Sequence, residues 1–348
     1  MMARVLVGLS GGVDSSAVVA KIFERGDEPV AVTLVMQHGA WPVPDPAAVE
    51  RARSVAEQLG VEHRVLDVSE RFFSTVVEPF ADEYARGRTP NPCVVCNSDV
   101  KFACLVELAD ELDCPTVATG HYARLVSSGE DTLVARSADA DKDQSYFLYR
   151  VPPKILNRLE FPLAEILKSD TRAFAKGLGL SSAVAKDSTG VCFAPGGDYR
   201  WLLAERRPDL LVAGDIVDGD GRLLGRHGGV ARYTVGQRKG LGLSGGPWFV
   251  SRLDADNNLV VLEHDVEPLR SSFALRGTLT WGWAAGESHA MLSVQTRYHA
   301  VPLPAHVTFD GTRARVELLD GATYAAEGQS CVLYDGDTVM GGGFISWT

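Results

Sequence analysis

Two groups of residues in this chain are spaced to do chemistry. The first is the string Gly8, Leu9, Ser10, Gly11, Gly12, Val13, Asp14, Ser15, Ser16. It follows an apolar run with strand character and precedes one with helical spacing. Glycines at such a junction let the backbone approach an anion, and the helix N-terminus adds unpaired N–H groups at the positive end of its dipole. Ser10, Ser15 and Ser16 bring hydroxyl donors, and Asp14 is placed to hold a magnesium ion on bound phosphates. Phosphate binding is the chemistry predicted. No Gly-Lys-Ser/Thr follows, so this is not the loop that clamps β- and γ-phosphates through a lysine. The string also fits Gly-x-Ser-x-Gly, with Ser10 as a nucleophile, but that geometry takes an oxyanion-hole donor from an earlier strand and loop. The second group is sulfur. Cys93 and Cys96 form a Cys-x-x-Cys after Thr89, Pro90, Asn91 and Pro92. The prolines predict an exposed loop ahead of a helix starting near Val100, whose N-terminus would favour the reactive thiolate. Cys192 stands far along the chain in a polar, glycine-containing stretch, 187–193. Cys104, Cys114 and Cys331 read as core. A zinc site would need further ligands, and no second Cys-x-x-Cys or histidine pair follows at finger spacing.

The elements that must position these residues alternate. Strand patterns at 4–9, 30–36, 63–68 and 116–119 are separated by helical patterns at 14–25, 46–59, 72–86 and 100–112. This repetition predicts a parallel sheet with helices on both faces, which binds ligands at the carboxyl ends of its strands. From 152 to 208 the pattern turns helical. Beyond 211 short β runs at 214–217, 233–235, 248–252 and 259–262 lie between glycine turns, and from 275 onward strands recur with Asp-Gly hairpin signals at 310–311, 320–321 and 335–336. Three domains are expected, at 1–208, 209–270 and 271–348.

The chain has 348 residues, 45 acidic against 34 basic, and a net charge of −11, so bulk charge does not attract it to nucleic acid or anionic membrane. Apolar content of 45% and charged content of 23% are globular values. No apolar run approaches a membrane span. The opening Met-Met-Ala-Arg-Val-Leu-Val enters a strand pattern directly, and six cysteines without a secretory leader predict reduced thiols and a cytoplasmic setting.

Ser-Gly-Gly-x-Asp-Ser at this strand–helix junction resembles the PP-loop of ATP pyrophosphatases, which transfer AMP to a substrate oxygen and release pyrophosphate. Amide formation, lysidine formation and thiolation all fit that step, and the cysteines favour thiolation. Taken in order, residues 8–16, Leu34-Val35-Met36, 89–97, Thr119-Gly120-His121-Tyr122, Lys142-Asp143-Gln144-Ser145-Tyr146, Gly190-Val191-Cys192-Phe193, Tyr233-Thr234-Val235-Gly236-Gln237-Arg238 and Arg297-Tyr298 resemble the bacterial tRNA-specific 2-thiouridylases over essentially the whole chain. The resemblance implies a doubly wound parallel α/β sheet of the PP-loop, adenine nucleotide alpha hydrolase-like type, then a small β-rich central domain and a C-terminal β-barrel. It implies that Gly8, Leu9, Ser10, Gly11, Gly12, Val13, Asp14, Ser15, Met36 and Gly120 contact ATP. Cys96 would be the nucleophile and Cys192 the persulfide carrier. Asn91, Pro92 and Cys93 would border the target base, and Lys142, Asp143, Gln144, Arg297 and Tyr298 would meet tRNA. Many family members carry Asp where this chain has Cys93.

Two sulfur schemes follow from the resemblance. In one, Cys192 carries a persulfide received from a cysteine desulfurase or relay protein, and Cys96 attacks the activated ring or releases sulfide by forming a disulfide with Cys192. In the other, Cys93, Cys96 and Cys192 hold an iron–sulfur cluster. For the RNA partner, residues 221–253 contain no Asp or Glu but do contain Arg222, Arg226, Arg232, Arg238, Lys239, Arg252 and His227. That stretch is the expected phosphate-contacting surface for an anticodon stem-loop. Trp281 and Trp283 are expected to pack within the barrel.

Overall fold

The computed structural model describes residues 2–37, 47–184, 191–194, 199–264, 269–281 and 289–347. Its contacts form two units, one of 1–75, 93–197 and 337–340, the other of 76–92, 198–336 and 341–348. The strands of the first unit are β1 (Arg4–Gly8), β2 (Glu28–Val35), β3 (Glu62–Asp67), β4 (Thr116–Ala118), a hairpin of β5 (Arg124–Ser128) and β6 (Asp131–Ala135), and β7 (Leu159–Glu160). Five of them form a sheet in the order β3-β2-β1-β4-β7, every pair parallel. Helices α1 (Val13–Glu24) and α2 (Ala48–Leu59) cover one face, where Val5, Val7 and Leu9 meet Val18, Val19, Ile22, Ala52 and Val55. Gly60 ends α2 in the left-handed conformation at φ 67°.

Residues 69–85 are helical as α3 (Ser69–Phe72), a π turn (Phe73–Val77) and α4 (Glu78–Ala85). Next come α5 (Pro92–Val95), a π turn (Cys96–Phe102) and α6 (Ala103–Glu111). Leu105 of α6 lies 3.5 Å from where a Cβ on Gly8 would stand, so α6 packs on the opposite face of the sheet. Both faces of a parallel sheet are thereby covered. The strand order turns around between β1 and β4, and ligands bind in such sheets where the order reverses, beyond the carboxyl ends of the strands. Helices α7 (Pro153–Leu156), α8 (Lys168–Gly177) and α9 (Arg200–Arg206) follow.

In the second unit β8 (Gly214–Asp218), β9 (Leu223–His227), β10 (Phe249–Asp254) and β11 (Leu259–Glu263) form a sheet in the order β10-β11-β8-β9. The strand expected at 233–235 is absent. Residues Val230–Arg232 form a 3-10 turn instead, and Tyr233 is buried against His227 at 5.8 Å between ring centroids. Beyond β12 (Leu269–Arg270), the strands β13 (Ser272–Thr280), β14 (His289–Gln295), β15 (Leu303–Asp310), β16 (Arg313–Leu318), β17 (Thr323–Tyr324), β18 (Ser330–Asp335) and β19 (Thr338–Ser346) complete the chain. Six of them close a barrel in the order β13-β16-β15-β14-β18-β19, sealed by β13 against β19. Trp283 lies outside the described residues. No helix among the described residues is long and apolar enough to cross a membrane.

Candidate functional site

The phosphate loop is held from three sides. Leu9 extends β1 by one residue, donating its N–H to Val32 O at 2.8 Å and accepting Thr33 Oγ1 at 2.7 Å. Gly11 has φ +75°, and a Cβ there would stand 2.3 Å from Ala48 O, so only glycine fits. Ser15 Oγ donates to Gly12 O at 3.1 Å and accepts the Ser10 N–H at 3.0 Å, which fixes the turn. Because that proton is committed, the 3.1 Å contact between the Ser10 and Ser15 hydroxyls is donated by Ser10. Gly12 caps α1 without a side-chain bond, so the first N–H groups of the helix point outward, available to an anion. Leu9 and Val13 are core residues, so only their backbones can serve a ligand. Met36 follows β2, half-buried. Gly120 follows β4, and a Cβ on it would come within 3.0 Å of Asp14 and of Ser15 N. The loops after β1 and β4 therefore touch at the reversal point of the sheet.

Asp14, expected to hold a magnesium ion, has a protein partner on each carboxylate oxygen. Its Oδ2 accepts Lys168 Nζ at 2.5 Å, and its Oδ1 accepts Tyr122 Oη at 3.0 Å. Tyr122 Oη also meets Thr171 Oγ1 of α8 at 3.0 Å. Burial and the Asp14 carboxylate push the Tyr122 phenol far up, so it stays a donor at every working pH. Lys168 was not singled out from the sequence, and Tyr122 stood in the 119–122 string with no role assigned. Lys168 lies 154 positions from Asp14, and its only local signal is a lysine opening a helix, against the dipole preference.

The sulfur sites depart from expectation. Pro92 starts the helix eight residues before Val100, so Cys93 and Cys96 lie in its first turns rather than on an exposed loop. A proline at the first helical position costs no hydrogen bond. The buried Val94, Val100 and Phe102 hold this helix against the core. Cys93 is half-buried and Cys96 is 7% exposed. Burial raises both thiols, Cys96 to about 11, which is opposite to the predicted thiolate-favouring environment. Cys192 is exposed to solvent. Burial first, then the Cys96 and Cys93 thiols, push it up to about 12. Those mutual effects bring the three sulfurs into one neighbourhood.

One cation opposes the rise at all three thiols, and it is Lys101, which sequence reasoning missed. Its ammonium donates to Asn97 Oδ1 at 2.8 Å and faces His121 Nε2 at 3.5 Å. His121 lies between Phe102 and Phe161, with Nδ1 2.8 Å from Thr119 Oγ1. Burial, reinforced by Lys101, holds its pKa well below the usual value, so the ring is neutral and Nε2 accepts. Among the described residues no three His, Cys, Asp or Glu side chains are grouped to hold a metal ion. All three cysteines are among those described residues. Gly190 lies outside the described residues.

The residues expected to meet RNA divide. Asp143 is buried, with Oδ1 accepting the Ser137 N–H at 3.0 Å and Oδ2 accepting Ser145 Oγ at 2.7 Å. Gln144 Oε1 accepts the Tyr122 N–H at 3.0 Å. Both side chains thus fix the segment around the β4 loop, while Lys142 beside them is half-buried. In the second unit, Thr89 is tied to Glu327 O and to Gln329 Nε2 at 2.9 and 2.8 Å, which anchors the approach to Asn91 and Pro92. Arg297 is exposed and lies over the Tyr324 ring at 5.5 Å, and Tyr298 packs on His299 at 3.8 Å. The six cations of 221–253 are all exposed. His227 does not belong with them. It is 3% exposed, its Nδ1 accepts the Gly229 N–H at 3.0 Å, and burial lowers its pKa.

Three family models match in succession. A tRNA methyl transferase HUP domain covers 3–196, a tRNA methyl transferase PRC-barrel domain 202–264, and an aminomethyltransferase beta-barrel domain 277–345. A tRNA-specific 2-thiouridylase MnmA of Gluconobacter oxydans is 43% identical over 358 residues, covering 99% of each chain. The chain belongs to the tRNA-specific 2-thiouridylase family. A further thiouridylase, from Nitrobacter hamburgensis, is 41% identical over 99% of this chain and 90% of its own. The models are named for methyl transfer and the relatives for thiolation, and the thiouridylase name is the one that a cluster of three thiols suits. Among solved structures, a 4-thiouridine synthetase–RNA complex with bound ATP has a TM-score of 0.37 at 18% identity, covering 60% of this chain and 51% of its own. An NMN synthetase from Francisella tularensis has a TM-score of 0.34 at 15%, covering 59% and 77%. Likenesses this slight carry no functional weight.

Proposed function

We propose that this thiouridylase-family protein is an ATP-dependent tRNA-uridine 2-sulfurtransferase, which adenylates the C2 oxygen of the wobble uridine and replaces it with sulfur. One observation carries the reading. Gly120 packs against the phosphate loop at Asp14 and Ser15, and the very next residue, His121, faces the ammonium shared by Cys93, Cys96 and Cys192. A base offered at the β4 loop has phosphate chemistry on one side and sulfur on the other.

The C2 oxygen of uridine is a poor leaving group. It attacks the α-phosphorus of ATP, the bond to the bridging oxygen breaks, and pyrophosphate departs with that electron pair. The N3 proton is lost in this step and regained in the product. The loop's N–H groups and the Ser10 hydroxyl stabilise the charge. Magnesium, when it accompanies the nucleotide, would neutralise phosphate charge. The terminal sulfur of a Cys192 persulfide then attacks C2, and AMP leaves with the C–O pair. Cys96, as thiolate, attacks the Cys192 sulfur, so the S–S electrons stay with the transferred atom. A Cys96–Cys192 disulfide remains, which a two-electron thiol reductant resets. The persulfide scheme is favoured because the three thiols are mutually close yet not grouped as metal ligands. A cysteine desulfurase or a persulfide relay protein is the donor class required.

We assign nucleotide chemistry to 1–208, tRNA contact to 209–270 through Arg238 and Lys239, and the barrel to 271–348, with Arg297 and Tyr298 meeting tRNA. The alternative is an amine-ligating ATP pyrophosphatase, which needs no thiol. Cys96→Ser distinguishes the two. The thiouridylase variant still releases pyrophosphate when tRNA is added but transfers no sulfur. Full product formation by Cys96→Ser contradicts the proposal.

A further inference from the structure

The proposed sulfur transfer uses two thiols, Cys96 and Cys192, in a neighbourhood that holds three. Cys93 stands three positions before Cys96, where α5 (Pro92–Val95) runs into the π turn (Cys96–Phe102). Residues three apart in a helix are neighbours, with Cα atoms about 5 Å apart, and a disulfide spans roughly 4.4–6.8 Å between Cα atoms. The buried Val94, Asn97 and Val100 fix this segment, so the two thiols keep their places on it. Cys192 is held from the other end of the domain. Its turn is closed by the Ala194 N–H donating to Val191 O at 3.0 Å, and Phe193 beside it is buried against Phe72 at 5.9 Å between ring centroids. Cys93 and Cys96 each raise the Cys192 thiol, and Cys93 raises Cys96, so none of the three is remote from the others. Exposure ranks them, with Cys192 exposed, Cys93 half-buried and Cys96 buried. A Cys96–Cys192 disulfide ties up both residues that the next cycle needs, one to receive sulfur and one to release it.

We infer that Cys93 is the resolving cysteine of this cycle: its sulfur attacks Cys96 Sγ in the Cys96–Cys192 disulfide, a Cys93–Cys96 bond forms, and Cys192 is set free. This rests on the persulfide reading above and adds a step to it. Cys93 enters as thiolate, its proton lost to solvent. The electron pair of the broken S–S bond leaves with Cys192 Sγ, which takes up a proton. One disulfide replaces another, so the step consumes neither oxidant nor reductant. The attack joins groups already held by one helix, an advantage over any dissolved thiol. Cys192 then accepts the next sulfur at its exposed position. Meanwhile a dithiol reductant opens the Cys93–Cys96 bond at Cys93, the less buried of its two sulfurs.

The test is a disulfide map of one turnover. Full-length protein is loaded with persulfide by a cysteine desulfurase and cysteine, freed of both, and given unmodified tRNA, ATP and magnesium under argon without reductant. Samples are quenched in acid at intervals, blocked with N-ethylmaleimide and mapped by mass spectrometry of unreduced peptides, with 2-thiouridine counted alongside. In wild type the Cys96–Cys192 bond appears with the first 2-thiouridine and gives way to Cys93–Cys96, which ends about tenfold in excess, with Cys192 carrying the maleimide. In Cys93→Ser the Cys96–Cys192 bond persists. Wild type that ends on Cys96–Cys192 overturns the inference, whether or not the variant folds. A Cys93–Cys96 bond equally abundant when ATP is withheld overturns it too. Thiolated tRNA with none of the three cysteines in a disulfide overturns the persulfide reading and the inference with it. Unmodified tRNA throughout overturns the proposed function itself, a result distinct from the others.

Discussion

Cys96 carries the reactive burden of the proposed chemistry from a position that opposes it. Its thiol is pushed up to about 11 by burial, with Lys101 pulling the other way. Below that value the thiolate fraction rises tenfold per pH unit, and the thiolate is the nucleophile. Alkylation of Cys96 by iodoacetamide, followed by mass spectrometry, should therefore climb about tenfold per unit from pH 7 to 10. A plateau by pH 8.5 contradicts the environment described. The sequence singled out Cys93 and Cys96 by their Cys-x-x-Cys among prolines, and Cys192 by the resemblance. Their surroundings were not legible there. Pro92 reads as a loop residue and as a first helical residue equally well, and only the packing of Val94 and Phe102 decides. Lys168 had no motif, since its partner Asp14 lies 154 positions away, and Lys101, on the same helix as Cys93 and Cys96, had none either.

At the scale of elements, the site is made where β1 and β4 lie side by side at the reversal of strand order. The alternation of short apolar runs with helical stretches was enough to foresee this, because periods of 2 and 3.6 differ over a dozen residues. β7 escaped because two residues, Leu159–Glu160, carry no period. The β5–β6 hairpin escaped because its turn, around Gly129 at φ +64°, lies within a polar stretch without the usual Asn-Gly or Asp-Gly signal. The turn from β1 into α1 should be the least tolerant element. Gly11→Ala places a Cβ at 2.3 Å from Ala48 O in a left-handed conformation. Urea denaturation should show a loss of roughly 2 kcal/mol or more, and ATP binding should fall with it. Unchanged stability and affinity would mean that the loop is not built as described.

For the whole molecule, the proposed substrate is an anionic polymer, while the chain carries a net charge of −11. The acid-free stretch 221–253 answers this locally, since Arg222, Arg226, Arg232, Arg238, Lys239 and Arg252 all remain at the surface of the second unit. Two of these have acidic neighbours, Arg226 with Asp215 at 3.6 Å and Arg252 with Asp254 at 3.1 Å. Arg238→Ala with Lys239→Ala should weaken tRNA binding and flatten the plot of log affinity against log salt by roughly 1.5. An unchanged slope would move the RNA surface elsewhere. The central claim is that phosphate and sulfur chemistry meet at a single base. Its most direct measurement is nucleoside analysis of unmodified tRNA incubated with this protein, ATP, magnesium and a persulfide donor. The account predicts 2-thiouridine at the wobble position, abolished by Cys192→Ser. Uridine recovered unchanged, or sulfur appearing undiminished with Cys192→Ser, would contradict it.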